Sequence, residues 1–414
     1  MKKIFLTSLL ISMIVFISCK EKVTNPPDNP LPEGYQQDVP WLSLADSPWP
    51  MNHHDPQNTG RSNFVGPKSG ANYLVIPTSY HESGVSIGKD SSIYFASLTN
   101  IFSYTPDGQL NWKRLVDSLG WETYTTPLVS SNGNIFVVIP LTGRISCFDA
   151  SGTKIWSYKN SEQIWQKTLV IDKVGNIYFI DAGSTLNVLS SQGQLLWSIT
   201  DSRFWVGYSS LVFSPDGKTL YSAGLNPSLF AIDISQRQIK WVFGRYSNRQ
   251  EPMIDAQGNI YLLTKTDSID GEKPALYSLK PDGTVRWVYV HNNALEKEIY
   301  TNSPTIDKNG NIYFAFDSLY SVDYQGKLRW KRPLSFSCIA DCPLVCDAEG
   351  NVYVGLTTPE QQYITIKAFN SNGVLIWENN FTTTGFGQVG GSPAILNSKL
   401  IFPSWRSKEI FIIK

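Results

Sequence analysis

The sequence predicts an all-β protein, an eight-bladed β-propeller of four-stranded antiparallel blades whose ring is closed by an N-terminal strand. Three observations carry that reading. A hairpin written Gly-x-x-x-Trp recurs along the 414 residues, a strand written Gly-Asn-Ile-Tyr alternates with it, and no segment beyond the first twenty residues has helical periodicity.

The hairpins are "PDGQLNW", "ASGTKIW", "SQGQLLW", "SQRQIKW", "PDGTVRW", "YQGKLRW" and "SNGVLIW", ending at Trp112, Trp156, Trp197, Trp241, Trp287, Trp330 and Trp377. Six carry Gly four residues before the Trp, and Arg237 stands there in the fourth. Successive Trp residues lie 41 to 47 positions apart, the length of one propeller blade. The alternating strands are "SNGNIFVV" from Ser131, "KVGNIYFI" from Lys173, "AQGNIYLL" from Ala256, "KNGNIYFA" from Lys308 and "AEGNVYVG" from Ala348. Weaker copies begin at Lys89, Pro215 and Asn397, which makes eight units. Asn-Gly and Asp-Gly pairs supply the positive φ of tight hairpins, and β-branched and aromatic residues fill the strands between. Each Trp is expected to be buried in the gap to a neighbouring blade, because a four-stranded sheet cannot cover both of its own faces.

The eighth unit has strands at 392–396, 399–404 and 409–414 and no outer one. The stretch "ANYLVIPT" (71–78) has strand character and precedes the first full unit, so it is expected to supply the missing strand. Closure of this kind leaves no sheet edge at the ends of the ring.

Lys+Arg and Asp+Glu both number 35, and no basic run occurs, so nothing points to nucleic acid. The N terminus is distinct. Lys2 and Lys3 precede an uncharged stretch from Ile4 to Ser18, too short for a comfortable membrane span and built like a signal peptide. Its end, "FISC", resembles a bacterial lipobox, with Phe16 where Leu is usual. The resemblance implies a signal peptide over 1–18, cleavage before Cys19 and acylation of that residue, a firm membrane anchor. Lys20 is not the Asp associated with inner-membrane retention, so an outer-membrane lipoprotein facing the periplasm or the cell surface is expected. Residues 20–48 hold six prolines without hydrophobic period, which predicts a Pro-rich tether over 19–48 and a propeller over 49–414.

The hairpin and strand motifs, with "WPMNHHDPQNTGRSNFVGP" (49–67) ahead of them, resemble the PQQ-like β-propeller repeats of the quinoprotein alcohol dehydrogenase-like superfamily. The resemblance implies the fold for residues 49–414. For function it implies several classes: a non-catalytic binding or scaffolding lipoprotein, which is the reading adopted, a lipoprotein subunit of the outer-membrane β-barrel assembly machinery, or a PQQ-dependent dehydrogenase using calcium. The enzymes of the family hold the quinone on a Trp floor, many under a disulfide between adjacent cysteines. No adjacent Cys pair exists here, and Asp149 stands seven residues before Trp156, where the enzymes' docking motif has eight. No cofactor is therefore expected.

Other candidate chemistry has bland explanations. Asp172, Asp255, Asp307 and Asp347 open Asp-x-x-Gly-Asn runs that lack the further acidic ligands of a calcium loop, so their carboxylates are expected to bond turn backbone. His53, His54 and Asp55 lack a third convergent metal ligand, and are expected to belong to a segment packed across the propeller. Cys338, Cys342 and Cys346 stand four apart, about 13 Å in an extended strand, so a disulfide among them needs a loop, for which 338–342 is the expected place. Cys147 reads as a small buried residue.

One pattern exceeds fold maintenance. Trp121, Trp165 and Trp205 follow their motif Trp by eight or nine residues, and Phe386 follows Trp377 by nine. With Tyr124, Gln166, Tyr208, Arg249, Glu251, Tyr300 and Asn302 they precede the innermost strands, at the mouth of the central channel. Aromatic rings beside amides would suit a protein partner or a glycan. Otherwise the rings cap blade interfaces.

Overall fold

Eight antiparallel sheets follow one another along the chain. The computed structural model describes residues 31–78, 83–118, 125–164, 169–204, 210–224, 226–244, 251–266, 272–291, 303–334, 342–357, 362–385, 387–405 and 408–414. The first blade comprises Ser86–Ile87, Ile93–Ser97, Asn100–Tyr104 and Leu110–Leu115, paired in chain order. Six more blades repeat this, with outer strands Lys154–Lys159, Leu195–Thr200, Gln238–Phe243, Val285–Val290, Leu328–Pro333 and Leu375–Thr382.

Burial is graded from the axis outward. First strands of neighbouring blades lie against each other, as Ser86–Ile87 does against Leu128–Val129, so these strands line the axis. Every residue of Ile93–Ser97 is buried, because a second strand has a neighbouring blade on both faces. The outer strands are the most exposed, with every second residue or more open to solvent in Lys154–Lys159.

In the eighth blade Ala394–Leu396, Lys399–Trp405 and Glu409–Ile413 come from the C-terminal end. Tyr73–Pro77 is its outer strand, running antiparallel with Tyr73 opposite Ile413 and Pro77 opposite Glu409. Ile76 is fully buried there among Ile410, Phe411 and Ile412.

The Gly-x-x-x-Trp motif is an inter-blade joint. A Cβ on Gly152, Gly193, Gly283, Gly326 or Gly373 would lie 2.5–2.8 Å from the ring of the preceding blade's motif Trp. At Gly326 the requirement is double, since its φ of 82° is also one that side chains rarely adopt. Indole N–H groups complete the joint: Trp112 donates to Ala150 O, Trp156 to Ser191 O, Trp241 to Pro281 O, Trp287 to Tyr324 O and Trp330 to Ser371 O, at 2.9–3.1 Å. Trp377 meets Gly70 and Pro67 O of the N-terminal segment in the same way. At Trp197 the Gly is missing, and the Arg237 guanidinium lies 5.0 Å from the ring centroid.

Two expectations need correction. Trp112, Trp330 and Trp377 are buried, but Trp156, Trp197, Trp241 and Trp287 are only half-buried, since an outer strand covers one side of the ring and solvent reaches the other. The tether also ends earlier than residue 48. The compact unit begins at Glu33, and Trp41 is buried with its Nε1 donating to Ile171 O at 2.8 Å. Gln36 bonds Lys308 O through its backbone N–H, and Leu44 bridges Ser130. The prolines of 33–48 shape a packed segment, not an extended one.

A feature without a sequence signal recurs in seven blades. The pairing of third and fourth strands shifts register just before the Trp, so that Ser103 faces Trp112 while Tyr104 faces Leu110. Asn111 is the extra residue, and its Nδ2 donates to Ser103 Oγ at 3.1 Å; Arg286 and Arg329 bond Ser278 and Ser321 likewise. The bulge turns the Trp toward the next blade.

Candidate functional site

The segment 49–65 is a strap that visits the ring at one end of the channel. Ile87 N–H donates to Trp49 O, Val129 to Pro50 O, Phe213 to Pro56 O, Ile254 to Gln57 O, Ile306 to Thr59 O, Cys346 to Gly60 O and Ser398 to Val65 O. Those are seven blades, and the third is reached by Trp41 at Ile171 O. In six of these blades the donor satisfied this way is the backbone N–H at the end of the short axial strand.

His53, His54 and Asp55 lie within the strap. His53 is fully buried with a φ of 52°, and its Nε2 lies 2.7 Å from Leu344 O. Gly60 stands so close to that ring that no Cβ fits. The Asp55 carboxylate accepts from the backbone N–H groups of Gln57 and Thr59, from the Thr59 hydroxyl, and pairs with His54 Nδ1 at 3.1 Å. Burial works to raise Asp55, but the His54 and Thr59 bonds outweigh it and hold the carboxyl below its usual range. Burial pushes the His53 imidazole down. The two imidazoles have separate partners, so the cluster braces a turn of the strap. Among the described residues no three His, Cys, Asp or Glu side chains gather to hold a metal ion.

The Asp-x-x-Gly-Asn runs form one structure four times. Asp307 Oδ1 accepts from the N–H groups of Asn309 and Asn311, and Oδ2 from Asn311 Nδ2 and the Tyr313 hydroxyl. Asp172, Asp255 and Asp347 repeat this with Tyr178, Tyr261 and Tyr353. Four donors of its own turn fill each carboxylate, and Asp347 accepts a fifth bond from Gly66 N–H, as a turn requires and a calcium loop does not. Burial and the adjacent carboxylate push all four phenols well above their ordinary value.

Of the expected mouth residues, Trp121, Tyr124, Trp165, Gln166, Trp205, Tyr208, Arg249, Tyr300, Asn302 and Phe386 lie outside the described residues. Glu251 is described. It is buried at the entry to the fifth blade and accepts from Ser303 Oγ of the sixth at 2.7 Å, a bond between blades. Cys19 and Cys338 also fall outside the described residues. Cys346 is a buried free thiol between Thr305 Oγ1 and Ile306 O, and Cys147 is buried with its thiol pushed up to about 12 by desolvation.

Opposite the strap lies a second set of contacts that residue spacing did not reveal. A residue just past one blade's outer strand bonds the turn before the third strand of the next blade, or the first residue of that strand. Arg144 Nε donates to Asp117 Oδ2 at 2.9 Å, Asn160 Nδ2 to Asp181 Oδ2 at 3.0 Å, and Thr384 N–H to Glu409 Oε1 at 3.0 Å. Between the fifth and sixth blades the same place is held by His291, Tyr320 and Asp317.

A family model described as outer membrane protein assembly factor BamB matches residues 182–354, from the third blade to the seventh. Over those residues the chain is similar to the repeats that the motifs resemble. No curated protein matches the chain in sequence. Among solved structures, BamB from Moraxella catarrhalis superposes with a TM-score of 0.55 at 11% identity, covering 82% of this chain and 99% of that one. A europium-containing methanol dehydrogenase gives 0.60 at 14% identity, over 87% and 90% of the two chains. A quinohemoprotein alcohol dehydrogenase from Pseudomonas putida gives 0.58 at 11%, over 91% and 83%. At these identities the likeness is one of fold, shared by assembly factor and enzymes alike.

Proposed function

We propose that this chain is a lipid-anchored propeller of the cell envelope that binds a protein partner and catalyses no reaction, with outer-membrane protein assembly as its setting. The match of residues 182–354 to the assembly-factor model carries this reading. Two features support it. The conspicuous carboxylates and histidines of the strap side are committed to turns and to the strap. The aromatic connections that carry Trp121, Trp165 and Trp205 join outer strands to first strands in successive blades, where a ring-shaped scaffold would present a contact surface.

Photo-crosslinking in envelope membranes, followed by identification of captured proteins, tests the role. A β-barrel or its assembly partner should be captured by the wild type and lost, by about tenfold or more, from Trp121→Ala/Trp165→Ala/Trp205→Ala. Capture that the triple variant leaves unchanged would move the contact elsewhere. Calcium-dependent alcohol oxidation on adding PQQ would replace the scaffold reading with an enzyme.

Anchoring has its own test. Cys19→Ala should abolish metabolic labelling by palmitate and leave an uncleaved precursor or a soluble product. A cleaved, membrane-retained Cys19→Ala protein would mean that something other than lipid holds it.

A further inference from the structure

The contacts opposite the strap differ in one respect that matters for pH. At three seams the bonding groups are Arg with Asp, Asn with Asp, and a backbone N–H with Glu. None of these changes charge between pH 5 and 8 with an unperturbed pKa. Only the seam between the fifth and sixth blades, among the described ones, uses an imidazole.

His291 follows the outer strand Val285–Val290 of the fifth blade, and its backbone N–H donates to Pro274 O of the same blade. Its side chain is directed at the sixth blade, where it is largely buried beside the Phe316 ring, 5.3 Å between centroids. The Tyr320 hydroxyl donates to Asp317 Oδ1 at 2.6 Å, so its oxygen is left to accept from His291 Nδ1–H at 3.1 Å. This assigns the tautomer: Nε2 is unprotonated and lies 3.9 Å from Asp317 Oδ1. Lys331 Nζ approaches Asp317 Oδ2 at 3.3 Å and sits over the Tyr320 ring. Tyr289, from the fifth blade, packs on Tyr320 with 5.7 Å between centroids. Among the described residues, Asp317, Lys331, Tyr320 and Tyr289 are the charged and titratable groups around the imidazole, and they come from the turn and the third and fourth strands of one blade and the fourth strand of the other.

We propose that this seam is an acid-sensitive latch, in which a proton arriving on His291 Nε2 changes how Asp317 is shared and so loosens the join between the fifth and sixth blades. In the neutral state each group has one task. Tyr320 passes a hydrogen bond from His291 to Asp317, and Lys331 neutralises the carboxylate. A second imidazole proton puts a cation 3.9 Å from the same Oδ1 that Tyr320 occupies, within a site that already holds Lys331. The carboxylate then serves two cations and a phenol with two oxygens.

Burial and Lys331 hold the imidazole below its ordinary range, and Asp317 only partly compensates. The sign follows. Above the unfolded value of about 6.5 the imidazole is neutral in both states and contributes no pH dependence. As pH falls from there through the lowered folded value, the unfolded chain takes up the proton first, so stability drops. Below the folded value the loss is complete and levels off.

The test uses the full propeller. Imidazole NMR signals are followed from pH 8 to 4.5, with His291 assigned by its absence from His291→Gln, and urea unfolding is measured at pH 7.5 and 5.0. The expected result is a His291 midpoint below 6.5 that falls further in Asp317→Asn and rises in Lys331→Met. The unfolding equilibrium constant of the wild type should increase between the two pH values by more than that of His291→Gln, by about eightfold for a midpoint depressed by one unit and up to a ceiling of about thirtyfold at pH 5.0. His53 is present in both proteins, so its titration cancels. Equal pH responses in wild type and His291→Gln overturn the latch. So does an imidazole midpoint indifferent to Asp317→Asn, a readout that stands if His291→Gln fails to fold.

Discussion

Trp330→Ala is expected to destabilise the propeller by about 3–5 kcal/mol, and Trp197→Ala by only about 1–2 kcal/mol. Both residues hold the same place in the repeat. Trp330 is buried, donates its indole N–H to Ser371 O at 2.9 Å, rests on Gly373 and packs against Tyr313 with 5.8 Å between ring centroids. Truncation removes its burial, leaves a carbonyl without its donor and opens a gap that backbone on one side and a rigid ring on the other cannot close. Trp197 is half-buried, and among the described residues its indole N–H has no acceptor in the next blade. It packs on Tyr178 at 5.9 Å between centroids, much as Trp330 does on Tyr313, but its partner in the next blade is the Arg237 guanidinium, an exposed contact worth about 0.5–1 kcal/mol. Urea denaturation compares the two variants, with the slope monitored so that a change in midpoint can be read as a change in stability. Equal losses would show that ring area alone, and not the Gly–Trp joint, holds neighbouring blades together.

The joint was legible in part. Recurrence every 41 to 47 residues announces blades, and Gly four before Trp announces a hairpin with positive φ. That the Gly serves the preceding blade's Trp is not legible, because a linear motif records only its own turn. The second motif has a similar history. Asp307 and Asn311 read as turn chemistry from sequence, but the reach of the Tyr313 hydroxyl to the same carboxylate depends on the hairpin folding back. The ring of Tyr313 then packs on Trp330, so the two motifs are consecutive links in one chain of contacts.

Segment 33–48 was misread because composition speaks of chain stiffness and not of destination. Trp41, Leu44 and Ala45 are buried there, three apolar residues too few to set up a period. The Arg61–Asp38 pair, 3.0 Å apart, joins positions 23 residues apart with no intervening pattern to relate them. The contacts opposite the strap were invisible for the same reason. His291 and Asp317 stand in different blades, and neither lies in a motif. For the aromatic mouth, sequence supplies a regular spacing after each motif Trp, and that spacing remains the reason for testing Trp121, Trp165 and Trp205 together.

Removal of the closing strand should have the largest effect of all. Tyr73–Pro77 pairs along its whole length with Glu409–Ile413, and the contact extends at both ends through Lys414 N–H to Asn72 O and Thr78 N–H to Lys408 O. Ile76 is fully buried in the cluster that also holds Phe102, Tyr104, Phe381 and Phe411, so it ties the eighth blade to the first and the seventh. Leu74 and Ile76 also face Gly108, the one hairpin glycine with no motif Trp before it in the ring. Deleting 71–78 therefore strips an inter-blade joint and a sheet strand together. It also bares Glu409–Ile413, whose apolar Ile-Phe-Ile-Ile run is a template for edge-to-edge pairing. The deletion should lower the melting temperature by more than about 10 °C and turn reversible unfolding into aggregation. Ile76→Ala, which keeps the backbone ladder, isolates the packing share and should cost about 2–5 kcal/mol. Scanning calorimetry with light scattering distinguishes these outcomes. A deletion variant that melts with the wild type and stays monomeric would mean that the ring does not depend on this strand, and that the strap alone holds first and last blades together.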